Sequence, residues 1–313
     1  MRNRTPALLA FTAAVSIALV GCAGGGGTAT VSEEDEQLVT GLTGTVGSKD
    51  FSEQYILAHL TSQLLNANGA DTDVNTQVVG SANVRAALES DEFMGYWEYT
   101  GTSWITYNGN TAPVVGAEAQ FEATAEADAA NGIAWLAPAP LNNTYAFAIR
   151  ADKAEELGVS TLSDIASLPV EEQTFCIESE FSTRDDGFPG LVEAYGIDVP
   201  DSNVALLDTG VIYTATADGT DCNFGEVFAT DGRIAALDLV VLEDDQAFFP
   251  VYQGAFTLKQ AVLDEYPGIA EVVALFADKL TDAEMQRLNA LADVDGEDPE
   301  DIARDWLEEQ GLI

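Results

Sequence analysis

The sequence predicts an α/β protein of two lobes with a ligand cleft between them. Short apolar segments alternate with amphipathic helical segments between residues 43 and 99, which is the order of strands and helices in a parallel sheet. A second series of such alternations begins at Leu141, and the pattern becomes helical from Leu258 onward. Ligands of open α/β sheets bind where strands end and helices begin, so the predicted site lies at those ends.

The first series begins with a strand at 43–46 that leads into a helix. Asp50 and Glu53 have the spacing of a capping box at the start of that helix, and Asn68-Gly69 predicts its end. The series continues with a strand at 74–79, a short helix at 83–88 and a strand at 93–99.

A polar, alanine-rich stretch at 121–131 separates this series from the second one. The second series has predicted strands at 141–149, 174–177, 204–207 and 239–242, and predicted helices at 162–168 and 191–195. The last of these strands is entirely apolar, as expected of a parallel or central strand. Near the C-terminus, Thr281 and Glu284 predict a second capping box, and Asp298-Pro299 predicts the start of the last helix.

The N-terminus has the features of a lipoprotein signal. Arg2 and Arg4 precede an apolar run at 7–20 that is too short for a spanning helix, and a glycine precedes Cys22. We predict a signal peptide at 1–21 and lipidation of Cys22; an uncleaved anchor or a coincidental cysteine is the alternative. Residues 22–40 are rich in glycine and acids, and we predict that they form a flexible tether. The protein is therefore expected at the extracytoplasmic face of the membrane, held by its lipid.

The charge balance argues against a nucleic-acid partner. Without the signal peptide the chain keeps 10 Lys and Arg against 53 Asp and Glu, a net charge of −43. Such a surface repels phosphate backbones and anionic headgroups. Since the acids are spread along the whole chain, they indicate adaptation to salt or a proteome poor in lysine rather than an acidic functional patch.

Cysteine and histidine usage argues against catalysis. Cys176 and Cys222 remain after lipidation and predict one disulfide in an exported chain, with two separate buried thiols as the alternative. The single histidine, His59, lies within a predicted helix, and the sequence has neither a CxxC motif nor a GxSxG motif. We therefore expect no metal, no cofactor and no enzymatic activity.

Two segments place polar and aromatic groups at predicted strand ends. Lys49 follows the first strand, and Tyr99 ends the third strand just before Thr102. Glu98 points to the opposite face of that strand from Tyr99, so it is interpreted as structural. The surrounding rings of YWEYTGTSW are interpreted mainly as core residues.

Six segments together resemble the substrate-binding proteins of osmoprotectant ABC importers: GSKDFSEQYILAHL, YWEYTGT, LNNTYAFAI, EFSTRDDGFPGLVEAYG, FATDGRIAALDLVVLEDDQAFFP and the VY that follows. The resemblance runs from Gly44 to the C-terminus. It implies a type II periplasmic-binding-protein fold, with lobe 1 at 41–144 and 253–313 and lobe 2 at 145–252. It also implies a monomer that delivers a quaternary-ammonium osmolyte to an ABC permease and its ATPase.

The resemblance further implies the site residues. The family holds the quaternary ammonium in a cage of tyrosines, and Phe228 stands where the family usually has Tyr, keeping the ring face and losing the hydroxyl. By motif the cage positions are Tyr99, Tyr145, Phe228 and Tyr252. The polar contacts of the ligand fall by motif on Lys49, Thr102, Asn143 and Arg184.

The charges of the predicted site residues distinguish between glycine betaine and choline as ligands. A trimethylammonium group has no proton to donate, so aromatic faces are its natural partners. The presence of Lys49 and Arg184 among only ten cations favours an anionic ligand group, and hence glycine betaine over choline. A same-fold receptor for proline, carnitine or ectoine, and a sensory or structural lipoprotein, are the alternatives.

Overall fold

The computed structural model describes residues 37–313, and these contain two mixed five-stranded sheets. The first sheet has the order β2-β1-β3-β10-β4 and the second has the order β7-β6-β8-β5-β9. The strands are β1 (Thr43–Gly47), β2 (Asp71–Asn75), β3 (Gly95–Tyr99), β4 (Ile133–Trp135), β5 (Tyr145–Arg150), β6 (Phe175–Ile177), β7 (Val204–Leu206), β8 (Phe224–Phe228), β9 (Leu239–Val241) and β10 (Gly254–Lys259).

Helices pack around both sheets, which confirms the α/β prediction. They are α1 (Ser52–Ala67), α2 (Ser81–Glu89), α3 (Thr100–Thr102), α4 (Ala117–Ala129), α5 (Ala151–Leu157), α6 (Leu162–Ile165), α7 (Phe188–Tyr195), α8 (Thr209–Asp218), α9 (Arg233–Ala236), α10 (Gln260–Glu265), α11 (Gly268–Ala277), α12 (Asp282–Asp293) and α13 (Pro299–Glu309). Helix α3 continues as a π-helix, Ser103–Tyr107, and 3₁₀ turns lie at Phe181–Thr183 and Asp201–Asn203.

The expectation of parallel pairing holds for only part of each sheet. β1 runs parallel to β2 and β3, and β6 runs parallel to β7 and β8. β10, however, is antiparallel to β3 and β4, and β5 is antiparallel to β8 and β9. These two exceptions are the strands that follow each passage of the chain from one sheet to the other.

The chain passes between the sheets twice, and the two passages pair with each other. Asn142 forms an antiparallel bridge with Gln253, and the Asn143 N–H donates to the Tyr252 carbonyl at 3.2 Å. The lobe boundaries at 144/145 and 252/253 stay a prediction. Every strand of the first sheet lies before residue 145 or after residue 252, and every strand of the second sheet lies within 145–252.

Three local predictions differ from the structure. The second strand lies at Asp71–Asn75 instead of 74–79, and the polar stretch at 121–131 lies mostly in helix α4. The apolar strand at 239–241 is an edge strand and not a central one, since it pairs only with β5 and leaves Val240 41% exposed. Hydrophobicity alone does not separate a buried strand from an edge strand.

The predicted capping box at Asp50 is wrong. Helix α1 begins at Ser52, Phe51 is its N-cap, and no side chain caps it. The Asp50 carboxylate instead accepts from the Gly80 N–H at 3.2 Å, and Glu53 is buried in a network described below. The end of this helix is as predicted, because Gly69 has a φ of 96°, which favours glycine.

The two C-terminal helix starts agree better with prediction. Thr281 accepts from the Glu284 N–H, although the Glu284 side chain bonds Arg287 and Trp306 and does not complete the capping box. Asp298 caps the last helix, with proline at its first turn.

The predicted signal peptide and Cys22 lie outside the described residues. Within the described part of the predicted tether, Val39 is only 1% exposed, so the fold already begins there. Among the described residues, no helix has the length and hydrophobicity needed to cross a membrane.

The predicted disulfide is present between Cys176 and Cys222, with their Cα atoms 5.6 Å apart and a sequence separation of 46 residues. Both cysteines are buried. A loop of this length contributes about 3 to 4 kcal/mol by the chain-entropy estimate.

We expect the Cys176→Ser/Cys222→Ser variant to lose about that much free energy of unfolding, measured by urea denaturation. Wild-type protein treated with reductant is the control and should show the same loss; equal stability of reduced and oxidised protein would contradict the prediction.

Candidate ligand-binding cleft

A cavity of about 420 Å³ lies between the two sheets, at the ends of several strands. Lys49 follows β1, Tyr99 ends β3, Glu178 follows β6 and Phe228 ends β8. This is the position at which open α/β sheets bind ligands. The cavity is lined by Lys49, Asp50, Phe51, Val79, Gly80, Ser81, Tyr99, Thr102, Asn143, Tyr145, Glu178, Ser179, Glu180, Thr183, Thr209, Phe228 and Tyr252.

All four aromatic residues predicted for the cage line this cavity. The Tyr145 ring centroid is 5.2 Å from that of Phe228 and 5.3 Å from that of Tyr252. Tyr99 reaches the others through Phe51, whose ring stacks at 6.3 Å on Tyr99 and at 5.2 Å on Phe228. Five rings gathered from distant parts of the chain therefore surround one space.

Strand register and a close backbone approach hold these rings in place. Tyr145 and Phe228 are direct partners in the antiparallel β5–β8 pair, which sets their side chains next to each other. Tyr252 packs over the Thr-Gly-Thr turn, where a Cβ on Gly101 would lie 2.6 Å from the Tyr252 ring. Only glycine leaves room for that ring, which explains why the turn after Tyr99 contains it.

Lys49 is buried and paired within the protein. Its Nζ lies 2.5 Å from Oε1 of Glu98 and 5.1 Å from the Tyr99 ring centroid. Glu98 is fully buried and does not line the cavity. The Glu98 carboxylate therefore balances the positive charge of Lys49, which the sequence analysis predicted to contact the ligand.

Arg184 is also buried and paired, and it is not among the lining residues. Its guanidinium donates to both carboxylate oxygens of Asp186 at 2.8 and 2.6 Å and to Glu180 at 2.9 Å. It lies 5.5 Å from the Tyr145 ring centroid and 3.5 Å from Oγ1 of Thr102. Lys49 and Arg184 each have a carboxylate partner, and the preference for an anionic ligand that rests on these two cations stays a prediction.

The other predicted polar contacts face the cavity. Thr102 and Asn143 both line it, and both are at least nine-tenths buried. The Asn143 amide donates to Oε1 of Glu53 at 2.9 Å and lies 3.4 Å from the Tyr99 hydroxyl. Asn143 therefore connects the passage between the sheets to the cage.

One wall of the cavity is acidic. It carries Asp50, Glu178 and Glu180. Burial raises the pKa of Glu178. Burial alone would raise the pKa of Glu180 as well, but Arg184 and Lys49 lower it below the ordinary value of a glutamate. The cavity is therefore lined by both aromatic faces and carboxylates, a combination that suits a cation.

A buried carboxyl, Glu226, lies behind this wall and makes stability depend on pH. Burial raises the pKa of Glu226 to about 8, against 4.5 for an ordinary glutamate, although the Glu178 N–H donates to it at 2.7 Å. Between those values the folded protein holds a proton that the unfolded chain has lost, so the free energy of unfolding falls as pH rises. The slope from this group is at most about 1.4 kcal/mol per pH unit.

We expect the Glu226→Gln variant to lack this component of the pH dependence. Its stability relative to wild type should increase with pH over the interval between the two pKa values, as measured by urea denaturation. The exposed Glu308→Gln variant is the matched control and should follow wild type. Parallel curves for wild type and Glu226→Gln would contradict the assignment.

Comparison with known proteins agrees with this geometry. A family profile described as the substrate binding domain of the ABC-type glycine betaine transport system matches residues 44–309. The chain belongs to this family. The type II fold, and the part of the chain over which the sequence resemblance was drawn, are thereby confirmed.

Individual members of the family resemble the chain over most of its length. The glycine-betaine-binding protein of Pseudomonas aeruginosa is 36% identical over 276 residues, covering 86% of this chain and 88% of its own. The glycine betaine-binding protein YehZ of Escherichia coli is 34% identical over 274 residues, covering 85% and 90%. A solved structure of a glycine betaine/carnitine/choline ABC transporter protein superposes with a TM-score of 0.70 at 25% identity, covering 86% and 99%.

As a substrate-binding domain of this family, the protein binds a small molecule outside the cytoplasm and works with a membrane permease and its ATPase.

Phe51 is the main lining ring that sequence reasoning missed. It lies between Lys49 and helix α1, and a large apolar residue at a helix start is usually a packing residue. The only feature of the sequence that indicated a place in the cavity was its position two residues after Lys49, which follows a predicted strand. Glu178 and Glu180 were also missed, since acids are common throughout this chain.

Proposed function

We propose that the protein binds a quaternary-ammonium osmoprotectant in this cleft, with glycine betaine favoured, and delivers it to an ABC permease. The supporting observation is the gathering of Tyr99, Tyr145, Phe228 and Tyr252, joined by Phe51, around one cavity. Each ring face contributes roughly 0.5 to 2 kcal/mol to binding of a desolvated methylated cation. Membership in the family supports glycine betaine as the first candidate.

The polar residues complete the proposed site. Thr102 and Asn143 face the cavity directly, while Lys49 and Arg184 supply positive charge around it although each pairs with a carboxylate. The predicted contacts of a betaine carboxylate with Lys49, Thr102 and Arg184 remain part of the proposal, as does the predicted contact of the Asn143 backbone carbonyl with the ammonium methyls. Phe228 offers a ring face and no hydroxyl, so it contributes to the cage through its face alone.

Choline is the second candidate, and the acidic wall favours it. Asp50, Glu178 and Glu180 line the cavity, whereas the only cation among the lining residues is the paired Lys49. Choline carries the same trimethylammonium group and a hydroxyl that donates to a carboxylate. A betaine carboxylate would meet repulsion at that wall.

The proposal includes the location of the protein and its assembly. The chain acts without covalent chemistry, as a monomer held at the outer face of the membrane through lipidated Cys22. The composition of residues 1–22 supports the anchor. Metabolic labelling with a fatty acid tests it: label should enter the wild type and not the Cys22→Ala variant.

Titration calorimetry of the unlipidated protein tests the ligand. Glycine betaine and choline should bind saturably, and ligand at a hundred times its Kd should add about 2.7 kcal/mol to the free energy of unfolding. Carnitine, proline and ectoine form the comparison panel. Tighter binding of proline or ectoine, which lack a trimethylammonium group, would overturn the proposal, and the absence of binding by the whole panel would favour a sensory or structural lipoprotein.

A further inference from the structure

The buried carboxylate of Glu53, behind the cage, accepts four hydrogen bonds. Its Oε1 accepts from the Tyr99 hydroxyl at 2.7 Å and from the Asn143 amide at 2.9 Å. Its Oε2 accepts from the Thr230 hydroxyl at 2.6 Å and from the Asn289 amide at 3.0 Å. The residue is only 3% exposed, so these donors replace the water that the carboxylate would otherwise bind.

The arrangement of donors indicates that Glu53 is ionised. Asn143 and Asn289 both turn their NH₂ groups toward it, and their Oδ1 atoms have no donor among the described residues. Burial raises the pKa of Glu53, and the hydrogen bonds from Thr230, Tyr99 and Asn289 oppose that rise. A buried carboxylate depends on each of its donors, because loss of one leaves charge without solvation.

The four donors come from different parts of the fold. Tyr99 belongs to the first sheet, and Asn143 lies in the passage between the sheets. Asn289 lies on helix α12. Thr230 follows strand β8 of the second sheet, so it is the one donor of the four that belongs to the second sheet's side of the cleft.

The bond from Thr230 to Glu53 runs beside a ring contact across the same cleft. Phe51 precedes Glu53 by two residues, Phe228 precedes Thr230 by two, and the rings of Phe51 and Phe228 stack at 5.2 Å. The hydrogen bond and the ring contact therefore join the same two segments, and both rings line the cavity.

We propose that Glu53 is a positioning residue that couples the two sides of the cleft: it orients the cage ring Tyr99 and receives Thr230 when the cleft closes on its ligand. The inference rests on the proposed function, because it concerns binding in the same cavity. It assigns to Glu53 a role in affinity in addition to its role in folding.

Thr230→Val and Thr230→Ser test the proposal, since valine keeps the shape of threonine without the donor and serine keeps the donor. Titration with glycine betaine and with choline should show Kd raised about tenfold or more for Thr230→Val. Thr230→Ser should bind close to wild type. Thr216→Val is the matched control: Thr216 is a buried threonine on helix α8 that donates to the Ile212 carbonyl at 2.8 Å, so its loss should lower stability and leave Kd unchanged.

A double-mutant cycle with Glu53→Gln identifies the partner. In the Glu53→Gln background, Thr230→Val should add little further loss of affinity, because the acceptor has already changed. If circular dichroism shows that Glu53→Gln does not fold, the comparison of Thr230→Val with Thr230→Ser tests the proposal by itself. Wild-type affinity in Thr230→Val, or an equal loss in both backgrounds, overturns the role of Glu53 and leaves the proposed function standing. Absence of binding by wild-type protein overturns both.

Discussion

Replacing Tyr145 by alanine is expected to weaken binding of both glycine betaine and choline at least tenfold. The Tyr145 ring lies at the centre of the cage, in contact with the rings of Phe228 and Tyr252 and 4.7 Å from that of Phe181. Its ring face is worth up to about 2 kcal/mol toward a desolvated cation, and about 1.4 kcal/mol corresponds to a factor of ten in Kd. Titration calorimetry of the folded variant gives the affinity directly.

Tyr145→Phe is the matched control for this experiment. Among the described residues, no side chain forms a hydrogen bond with the Tyr145 hydroxyl, so removal of that hydroxyl leaves the ring and its neighbours in place. We expect Tyr145→Phe to bind both ligands nearly as well as wild type. If Tyr145→Ala also bound like wild type while remaining folded, recognition by the aromatic faces would be refuted.

The sequence predicts elements best where the evidence is local. The apolar face of helix α1, carried by Ile56, Leu57, Leu60 and Leu64, is completely buried in the structure, and its period of three to four residues is readable from sequence. The same is true of proline at the start of the last helix. Strands β4, β8 and β10 were missed, because each joins its sheet only through partners distant in sequence.

The Asp50–Glu53 pair shows how tertiary contacts override a local signal. The spacing fits a capping box, but the box would be worth about 1 kcal/mol, whereas Glu53 takes part in four hydrogen bonds from elsewhere in the chain. None of those donors lies within the reach of a local motif. The network depends on the packing of segments that are distant in sequence.

The site shows the same division. The resemblance to a family identified the four cage positions by motif, and the structure brings all four to one cavity. The resemblance could not identify the partners of the cations. Alternation along strand β3 places Glu98 on the opposite face from Tyr99, yet the long side chain of Lys49 still reaches the Glu98 carboxylate. Pairing of Arg184 with Asp186 likewise depends on a turn between two residues close in sequence.

Removing the guanidinium of Arg184 is expected to cost the protein about 3 to 5 kcal/mol of unfolding free energy, as is typical when one partner of a buried ion pair is deleted. Asp186 is only 5% exposed, and in the Arg184→Ala variant it would keep the Tyr252 hydroxyl as a donor and lose its cation. Urea denaturation measures the loss. Arg304→Ala is the control: Arg304 pairs with Asp301 and Asp305 on the surface, where such pairs contribute little, and its stability should match wild type.

The source of that cost distinguishes two roles for Arg184. If the cost comes from the orphaned carboxylate, Asp186→Asn in the Arg184→Ala background should restore part of the stability, because an amide oxygen still accepts from Tyr252 without a buried charge. For ligands, we expect Arg184→Ala to weaken binding of glycine betaine far more than binding of choline, because Arg184 is a proposed partner of the betaine carboxylate and choline has no carboxylate. Similar losses for the two ligands would instead mean that Arg184, paired with Asp186, only supports Thr102 and Tyr145 from behind the lining.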